Sequence, residues 1–249
     1  MSEHVPQNCN LRISADPVSR RSMFGQAAMA AVCGATEWMN YSASKAIGKP
    51  QQNDTKIPTT PAEALQKLIE GNRRFAEGKS MASNRDIDRV RHVAREQKPF
   101  AAFLGCADSR VPIEIVFDQG FGDLFVTRIA GNVASSENIG SLEFGTQILG
   151  AKVLYVLGHT ECGAVTATMK GTDVPGQISG LFQHIRPAVK TAKGDLDKAI
   201  LENVRNQAML LAESSPVISK MIQRRELIVA GGIYDLDTGI VSEVDVSAL

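Results

Sequence analysis

Residues 100–110 read FAAFLGCADSR, and this stretch decides the fold. Its first five residues form a continuous apolar run between Pro99 and Gly105, which is typical of a strand buried on both faces. Two more short runs, rich in β-branched and aromatic residues, follow at residues 124–129 and 153–157. Stretches with helical periodicity separate the runs. Alternation of strand and helix predicts a parallel sheet.

Segments in which apolar residues recur at helical spacing lie before and after these strands. This spacing predicts a first helix beginning at Pro61, and further helices over residues 87–97, 139–149, 178–191 and 199–222. Strands over residues 227–234 and 240–246, joined by the turn sequence DLDTG, predict a hairpin. We therefore expect an α/β fold with a central mostly parallel β-sheet flanked by helices, an N-terminal helical arm and a C-terminal edge hairpin.

The N-terminal segment has the outline of an export signal. Residues 19–24 read SRRSMF, and the paired arginines precede a short uncharged, alanine-rich stretch. The pattern resembles the twin-arginine signal, whose cargo crosses the membrane already folded. We expect a signal peptide over residues 1–46, a linker over 47–60 and one folded domain over 61–249. The protein would then be periplasmic or otherwise exported, with the export machinery for folded proteins as a partner. An amphipathic helix with two exposed arginines is the alternative, and it predicts a cytoplasmic protein.

Composition excludes several classes of protein. The 249 residues are 43% hydrophobic and 22% charged, close to the average for soluble globular domains. Lys plus Arg and Asp plus Glu both number 27, so the zero net charge argues against a nucleic-acid-binding protein. No apolar run reaches the roughly 18 residues that a membrane-spanning helix needs, and we expect no stable membrane domain.

Candidate metal ligands follow the first and third strands. Cys106 comes directly after the first strand, and the third is followed by His159 and Cys162. A histidine and a cysteine three residues apart can bind one ion from a single turn. Cys106 joins them if the two strands lie side by side, because carboxyl ends of parallel strands share one edge. Two thiolates and one imidazole with an open position are typical of catalytic zinc. The alternatives are buried packing cysteines or a disulfide, with His159 as a polar residue at a strand end.

A carboxylate and a guanidinium share the loop that carries Cys106. Asp108 and Arg110 stand two residues apart, a spacing that suits a charge-assisted pair beside the metal ion. Such a pair could orient a bound nucleophile.

Three segments together resemble the β-class carbonic anhydrases. They are ALQKLIEGNRRFAEGK at residues 64–79, FLGCADSRVPIEIVFDQGFGDLFVTRIAGN at 103–132 and VLGHTECGAV at 156–165, and the resemblance covers residues 62–246. It implies zinc-dependent, reversible hydration of carbon dioxide to bicarbonate and a proton, by attack of zinc-bound hydroxide. It also implies one Zn²⁺ per chain, held by Cys106, His159 and Cys162, with Asp108 and Arg110 as the catalytic pair.

The resemblance implies further roles around the metal. Gln97 matches the family's substrate-orienting glutamine, although a polar residue at a helix end would look the same. In some members the aspartate, here Asp108, becomes a fourth zinc ligand in a closed form, and bicarbonate binds a regulatory site that includes a tryptophan. The single tryptophan here is Trp38, and Phe103 stands three residues before Cys106, so we expect an open site. Family members are dimers or larger even-numbered assemblies, which implies a homodimer or homotetramer.

Carbon dioxide needs a small apolar pocket, and Val111, Phe125 and Val133 are candidates to line it, with ordinary core packing as their alternative role. Three other functions are alternatives for this sequence. Hydrolysis of carbon disulfide or carbonyl sulfide would use the same ligands. A zinc-binding or redox-sensing module would not need Asp108 and Arg110, which are both present. A nucleotide-binding domain would need a glycine-rich loop after the first strand, and none follows it.

Overall fold

The computed structural model describes residues 57–171 and 173–246. Its α-helices are α1 (Pro61–Ala76), α2 (Ile87–Val93), α3 (Ile113–Val116), α4 (Ser136–Glu143), α5 (Gly163–Lys170), α6 (Ser179–Ala192), α7 (Leu196–Ser214) and α8 (Pro216–Gln223). Its strands are β1 (Ala101–Gly105), β2 (Leu124–Arg128), β3 (Val153–His159), β4 (Ile228–Tyr234) and β5 (Val241–Val244). None of these helices is long and apolar enough to span a bilayer. The expected signal peptide and Trp38 lie outside the described residues.

The five strands form one sheet in the order β2-β1-β3-β4-β5. The first four are parallel to one another, and β5 pairs antiparallel with β4 at one edge. The α/β architecture, the mostly parallel sheet and the C-terminal edge hairpin are thus confirmed. β1 and β3 are direct neighbours, with Gly105 opposite Leu157. Their carboxyl ends therefore lie side by side.

Both faces of the sheet are covered, which explains the continuous apolar strands. All five residues of β1 and all seven of β3 are buried. Leu104 and Val156 pack with α7 and α8 in one core cluster. Phe103 and Tyr155 point to the opposite face, where their rings stack 5.3 Å apart between centroids. A strand with one solvent-exposed face would show alternating apolar and polar residues instead.

The N-terminal arm is helical, and it is attached to the body of the domain. The Thr60 hydroxyl and the Glu63 carboxylate cap α1 reciprocally, and proline at the first helical position fits the unpaired N–H groups there. The buried Asn72 amide donates to the Val116 and Gly239 carbonyls and accepts from the Val241 amide. These bonds join α1 to α3 and to the edge hairpin.

A second attachment holds the segment between α1 and α2. The buried Asp118 carboxylate accepts from the backbone amides of Met81 and Ala82, at 2.9 and 3.0 Å. It also accepts from Arg74 at 2.8 Å and from Arg85 at 3.4 Å. Burial acts to raise the pKa of Asp118, but these donors outweigh it and the pKa is lowered. The carboxylate therefore stays charged inside the protein.

Three of the predicted helices differ in the structure, two of them in where they end or break. The helix expected over residues 87–97 ends at Val93. The helix expected over 199–222 is two helices, because Pro216 cannot donate a backbone hydrogen bond and begins a new one. The Ser215 hydroxyl caps that second helix by accepting from the Ile218 amide at 3.0 Å.

The helix expected over residues 139–149 also changes character. It begins earlier, at Ser136, and its last turn, Phe144–Ile148, widens into a π-helix. Gly145 lies in this turn, where an added Cβ would come within 2.6 Å of the Phe125 ring. The π-turn thus brings backbone close to β2.

Candidate metal centre

The three predicted ligands meet at the carboxyl edge of the sheet. Cys106 follows β1, His159 ends β3, and Cys162 follows a two-residue turn in which Glu161 has a φ of 54°. One ligand atom from each side chain lies within 4.8 Å of the other two. All three residues are buried, with His159 fully so. The adjacent β1 and β3 therefore create the site that the sequence predicted.

These side chains fit a zinc ion. The His159 Nδ1 lies 2.8 Å from the Thr160 carbonyl, which assigns the ring proton to Nδ1. The other ring nitrogen, Nε2, is buried and has no hydrogen-bond partner among the described residues. A buried nitrogen lone pair left free beside two sulfurs is what a metal ion requires. Both cysteines are free thiols, so the disulfide alternative does not hold.

The electrostatics of the cluster favour a cation. Hydrogen bonds, chiefly with Cys162 and also with the Gly131 amide, lower the pKa of Cys106 to about 4 against the effect of burial. The bond to Cys106 and burial raise the pKa of Cys162. Burial acts to lower the pKa of His159, but the Cys106 thiolate outweighs it and the pKa is raised. Zinc binding must therefore displace protons from this site.

Asp108 and Arg110 form a two-pronged ion pair beside the ligands. Arg110 Nε and Nη2 donate to the two Asp108 carboxylate oxygens, at 3.0 and 2.8 Å, and the Arg110 amide adds a third bond at 2.9 Å. Arg110 Nη2 also reaches the Glu161 carbonyl at 3.3 Å, on the loop after β3. The Arg110 hydrogen bonds hold the pKa of Asp108 well below its usual range. Asp108 Oδ2 lies 3.9 Å from His159 Nε2, so the carboxylate faces the ligand cluster.

Sequence reasoning missed two residues that support the cluster. Arg128, at the end of β2, donates to the backbone carbonyls of Cys106, at 2.9 Å, and Asp108. The Gly131 amide donates to the Cys106 sulfur at 3.3 Å. Position at the carboxyl end of the neighbouring strand was the signal that could have identified Arg128. Nothing local in the sequence marks the Gly131 contact.

The remaining predicted residues lie in different places. Val133 packs in one cluster with Cys106 and Cys162. Val111 lies in the core cluster that contains Phe103 and Tyr155, and Phe125 packs against the opposite face of the sheet. Only Val133 of these three shares a core cluster with the ligands.

Gln97 does not approach the ligands in this chain. It is exposed and precedes β1, whereas Cys106 follows β1. The extended chain between Phe100 and Cys106 spans about 20 Å. Gln97 thus lies near the amino ends of the strands, whereas the metal centre lies at their carboxyl ends.

Known proteins with the same sequence pattern and fold are carbonic anhydrases. The family described as carbonic anhydrase matches residues 101–241. Carbonic anhydrase 2 of Mycobacterium tuberculosis is 37% identical over 189 residues, which cover 73% of this chain and 91% of the relative. The β-carbonic anhydrase of Coccomyxa, solved with acetazolamide, is 29% identical with a TM-score of 0.57, over 72% of this chain and 86% of its own.

A tetrameric β-carbonic anhydrase from Sordaria macrospora has the same fold, with a TM-score of 0.59 at 21% identity, over 72% of this chain and 96% of its own. Sequence family, fold and ligand cluster agree. The chain belongs to the carbonic anhydrase family, and within that family to the β class.

Proposed function

We propose that this protein is a zinc enzyme that catalyses the reversible hydration of carbon dioxide to bicarbonate and a proton. The observation that carries the proposal is an ion-paired carboxylate, Asp108, that faces a buried donor set of two cysteines and a histidine. Membership of the carbonic anhydrase family identifies the reaction. Zinc, when bound, lowers the pKa of water and so makes a nucleophile available near neutral pH.

Asp108 supplies the acceptor that this reaction needs. An ionised carboxylate only accepts hydrogen bonds, so Asp108 accepts the hydrogen bond of the attacking nucleophile and thereby directs the nucleophile's lone pair toward the substrate. Arg110 keeps the carboxylate ionised and occupies both of its oxygens. A move of Asp108 onto the metal ion would have to break this two-pronged pair. The geometry therefore supports the open form of the site.

Carbon dioxide is uncharged, so it requires an apolar surface that excludes water near the nucleophile. Val133, which packs with both cysteines and is 1% exposed, is the residue best placed to provide it.

We assign substrate orientation to the Gln97 amide. Gln97 lies at the amino end of β1, away from the ligands of its own chain. It can therefore contact substrate only in the metal centre of another chain.

We propose that the protein is a homodimer or homotetramer in which Gln97 crosses between subunits. β2 is an edge strand of the described sheet, and large apolar side chains near it are exposed. Phe121 and Phe144 are about half exposed and Ile148 is 67% exposed. Such a patch is typical of a surface that another chain covers. The Sordaria relative is tetrameric, which agrees with this assembly.

A mixing experiment tests the shared site. Chains carrying Cys106→Ser keep Gln97 but lose a ligand, and chains carrying Gln97→Ala keep the ligands. If Gln97 acts across the interface, refolding the two together restores about half of the sites in each mixed dimer. No recovery on mixing, with mixed dimers shown by sedimentation and mass spectrometry, would contradict the assignment.

The activity itself is tested by zinc content and proton release on mixing with carbon dioxide. We expect about one zinc per chain and rapid hydration, both lost in Cys106→Ser. For Asp108→Asn, which should keep zinc but lose hydration, Asp88→Asn is a matched control, because Asp88 also pairs with an arginine but lies on exposed α2. Zinc binding without hydration would refute the proposed reaction and direct attention to carbonyl sulfide. Absence of zinc would refute the metal centre.

We also propose that residues 1–46 direct export of the folded protein to the periplasm, on the basis of the paired arginines at 20 and 21. Export after folding would let zinc and thiolates combine in a reducing compartment. Replacing both arginines by lysine should retain the protein in the cytoplasm, as measured by cell fractionation. Unchanged fractionation would favour the cytoplasmic alternative.

A further inference from the structure

Two buried amide side chains lie on the inner face of α7. Asn203 and Gln207 are 1% and 2% exposed, one helical turn apart. Their neighbours on this face, such as Val204, Ala208 and Leu211, are apolar core residues. Burying an amide is unfavourable unless each polar atom finds a partner. The partners of these two side chains therefore indicate what they do.

Both amides bind the turn that follows β2. Asn203 Nδ2 donates to the Gly131 carbonyl at 2.9 Å, and Gln207 Oε1 accepts from the Ala134 amide at 2.8 Å. Gln207 Nε2 donates to Asn203 Oδ1 and to the His184 carbonyl, both at 3.2 Å. The two side chains thus bind each other and two points of the same turn.

The turn in question donates to a metal ligand. The Gly131 amide points at the Cys106 sulfur, at 3.3 Å. Gly131 has a φ of 74°, in the left-handed region that favours glycine. A Cβ at this position would lie 2.7 Å from Ile185 and 3.1 Å from Ala164. Close packing against α5 and α6 and hydrogen bonds to α7 together fix the position of the turn.

We propose that Asn203 and Gln207 are positioning residues of the metal centre, which hold the Gly131 amide against the Cys106 sulfur and thereby set the affinity for zinc. The inference rests on the zinc site of the proposed function. A sulfur already held in place needs less ordering when the ion arrives. Hydrogen-bond partners of metal ligands typically contribute a factor of about 10–100 in metal affinity.

The competing view is that these amides merely stabilise the fold. Gln207→Met and Asn203→Ala remove the hydrogen bonds and leave every ligand and the Asp108 pair unchanged. Leu211→Ala is the matched control, because Leu211 is fully buried on the same helix but packs in the core cluster that excludes the ligands. All three variants should lower the thermal midpoint, so stability alone cannot separate the two views.

Zinc affinity separates them. The dissociation constant is measured on the full chain by competition with a chromophoric chelator, and Co²⁺ substitution reports thiolate ligation through its charge-transfer absorption. We expect the constant to rise about 10–100-fold in both amide variants, with a weakened charge-transfer band, and to stay at the wild-type value in Leu211→Ala. An unchanged constant in the amide variants, or an equal rise in the control, would overturn the inference.

A second measurement covers variants that do not fold. Replacing Gly131 by glycolic acid converts the N–H into an ester oxygen and leaves both amides in place. The same loss of zinc affinity is expected, and an unchanged affinity would overturn the inference. Wild-type protein sets the baseline: if it does not bind zinc, the proposed function fails, whereas zinc binding that is insensitive to these changes defeats the inference alone.

Discussion

Replacing Asp108 by asparagine tests the chemistry of the site most directly. The change keeps the shape of the side chain and removes its charge. Asp108 Oδ1 accepts two hydrogen bonds from Arg110, from its backbone amide and from Nε, whereas Oδ2 accepts one from Nη2, so the asparagine oxygen should take the place of Oδ1. Its NH₂ group then occupies the place of the other oxygen, which lies 3.9 Å from His159 Nε2. A donor would stand where the nucleophile needs an acceptor.

The size of the effect follows from that exchange. Removing one positioned hydrogen-bond partner of the reacting group typically costs about 10²–10³-fold in rate, so kcat/KM for carbon dioxide should fall by at least about 100-fold. Zinc content should stay near one per chain, because the three ligands are untouched. The denaturation midpoint should move little, since Arg110 is largely exposed and exposed ion pairs stabilise weakly.

Stopped-flow proton release measures the rate, elemental analysis the zinc, and urea denaturation the stability. Asp88→Asn, in an exposed pair on α2, controls for the chemical substitution. Retention of more than a tenth of the wild-type rate would refute the role assigned to Asp108. Loss of zinc together with activity would show that the carboxylate supports the ligands instead.

Three further outcomes are expected. Asp118→Asn should lower the free energy of unfolding by about 2 kcal/mol at pH 7. Since the folded protein lowers the pKa of Asp118, its contribution is complete above the unfolded value, about 3.9, and disappears as the pH falls further. Urea curves at pH 7 and pH 3 should therefore show the difference shrinking. Gly131→Ala should cost about 2–5 kcal/mol in unfolding free energy, from its left-handed φ and the contact with Ile185, and adding Ile185→Val should recover part of that loss. When free zinc is held at about 1,000 times its dissociation constant, its removal should lower the thermal midpoint by about 8–16 °C, and calorimetry of Cys106→Ser should show no such dependence.

The sheet and the ligands could be predicted because their signals are local. Residues 100–104 and 153–157 are short apolar runs that end in glycine or polar residues, and both form buried strands. His159 and Cys162 are close in sequence, and the rule for carboxyl ends of parallel strands adds Cys106. To bring the three zinc ligands together, the fold needs only β1 and β3 as neighbouring strands, and these two strands do pair.

What could not be predicted depends on contacts between distant residues. Asn203 and Gln207 bind a turn about 70 residues earlier in the chain, and an amide in a helix looks the same whether it faces water or that turn. Asp118 likewise finds its donors 33 to 44 residues before it. The break at Ser215 was foreseeable, because Pro216 disfavours a continuous helix.

The pairing of β1 with β3 also orders events during biogenesis. Cys106 and His159 stand 53 residues apart, so an unfolded chain presents His159 and Cys162 together but not all three ligands. Closing so long a loop carries an entropic cost, and parallel strand pairing is slow. High-affinity capture of zinc must wait until the central strands have joined. The ion thus selects chains whose sheet is already assembled, and a newly made chain would become fully metallated only as one of its last steps of maturation.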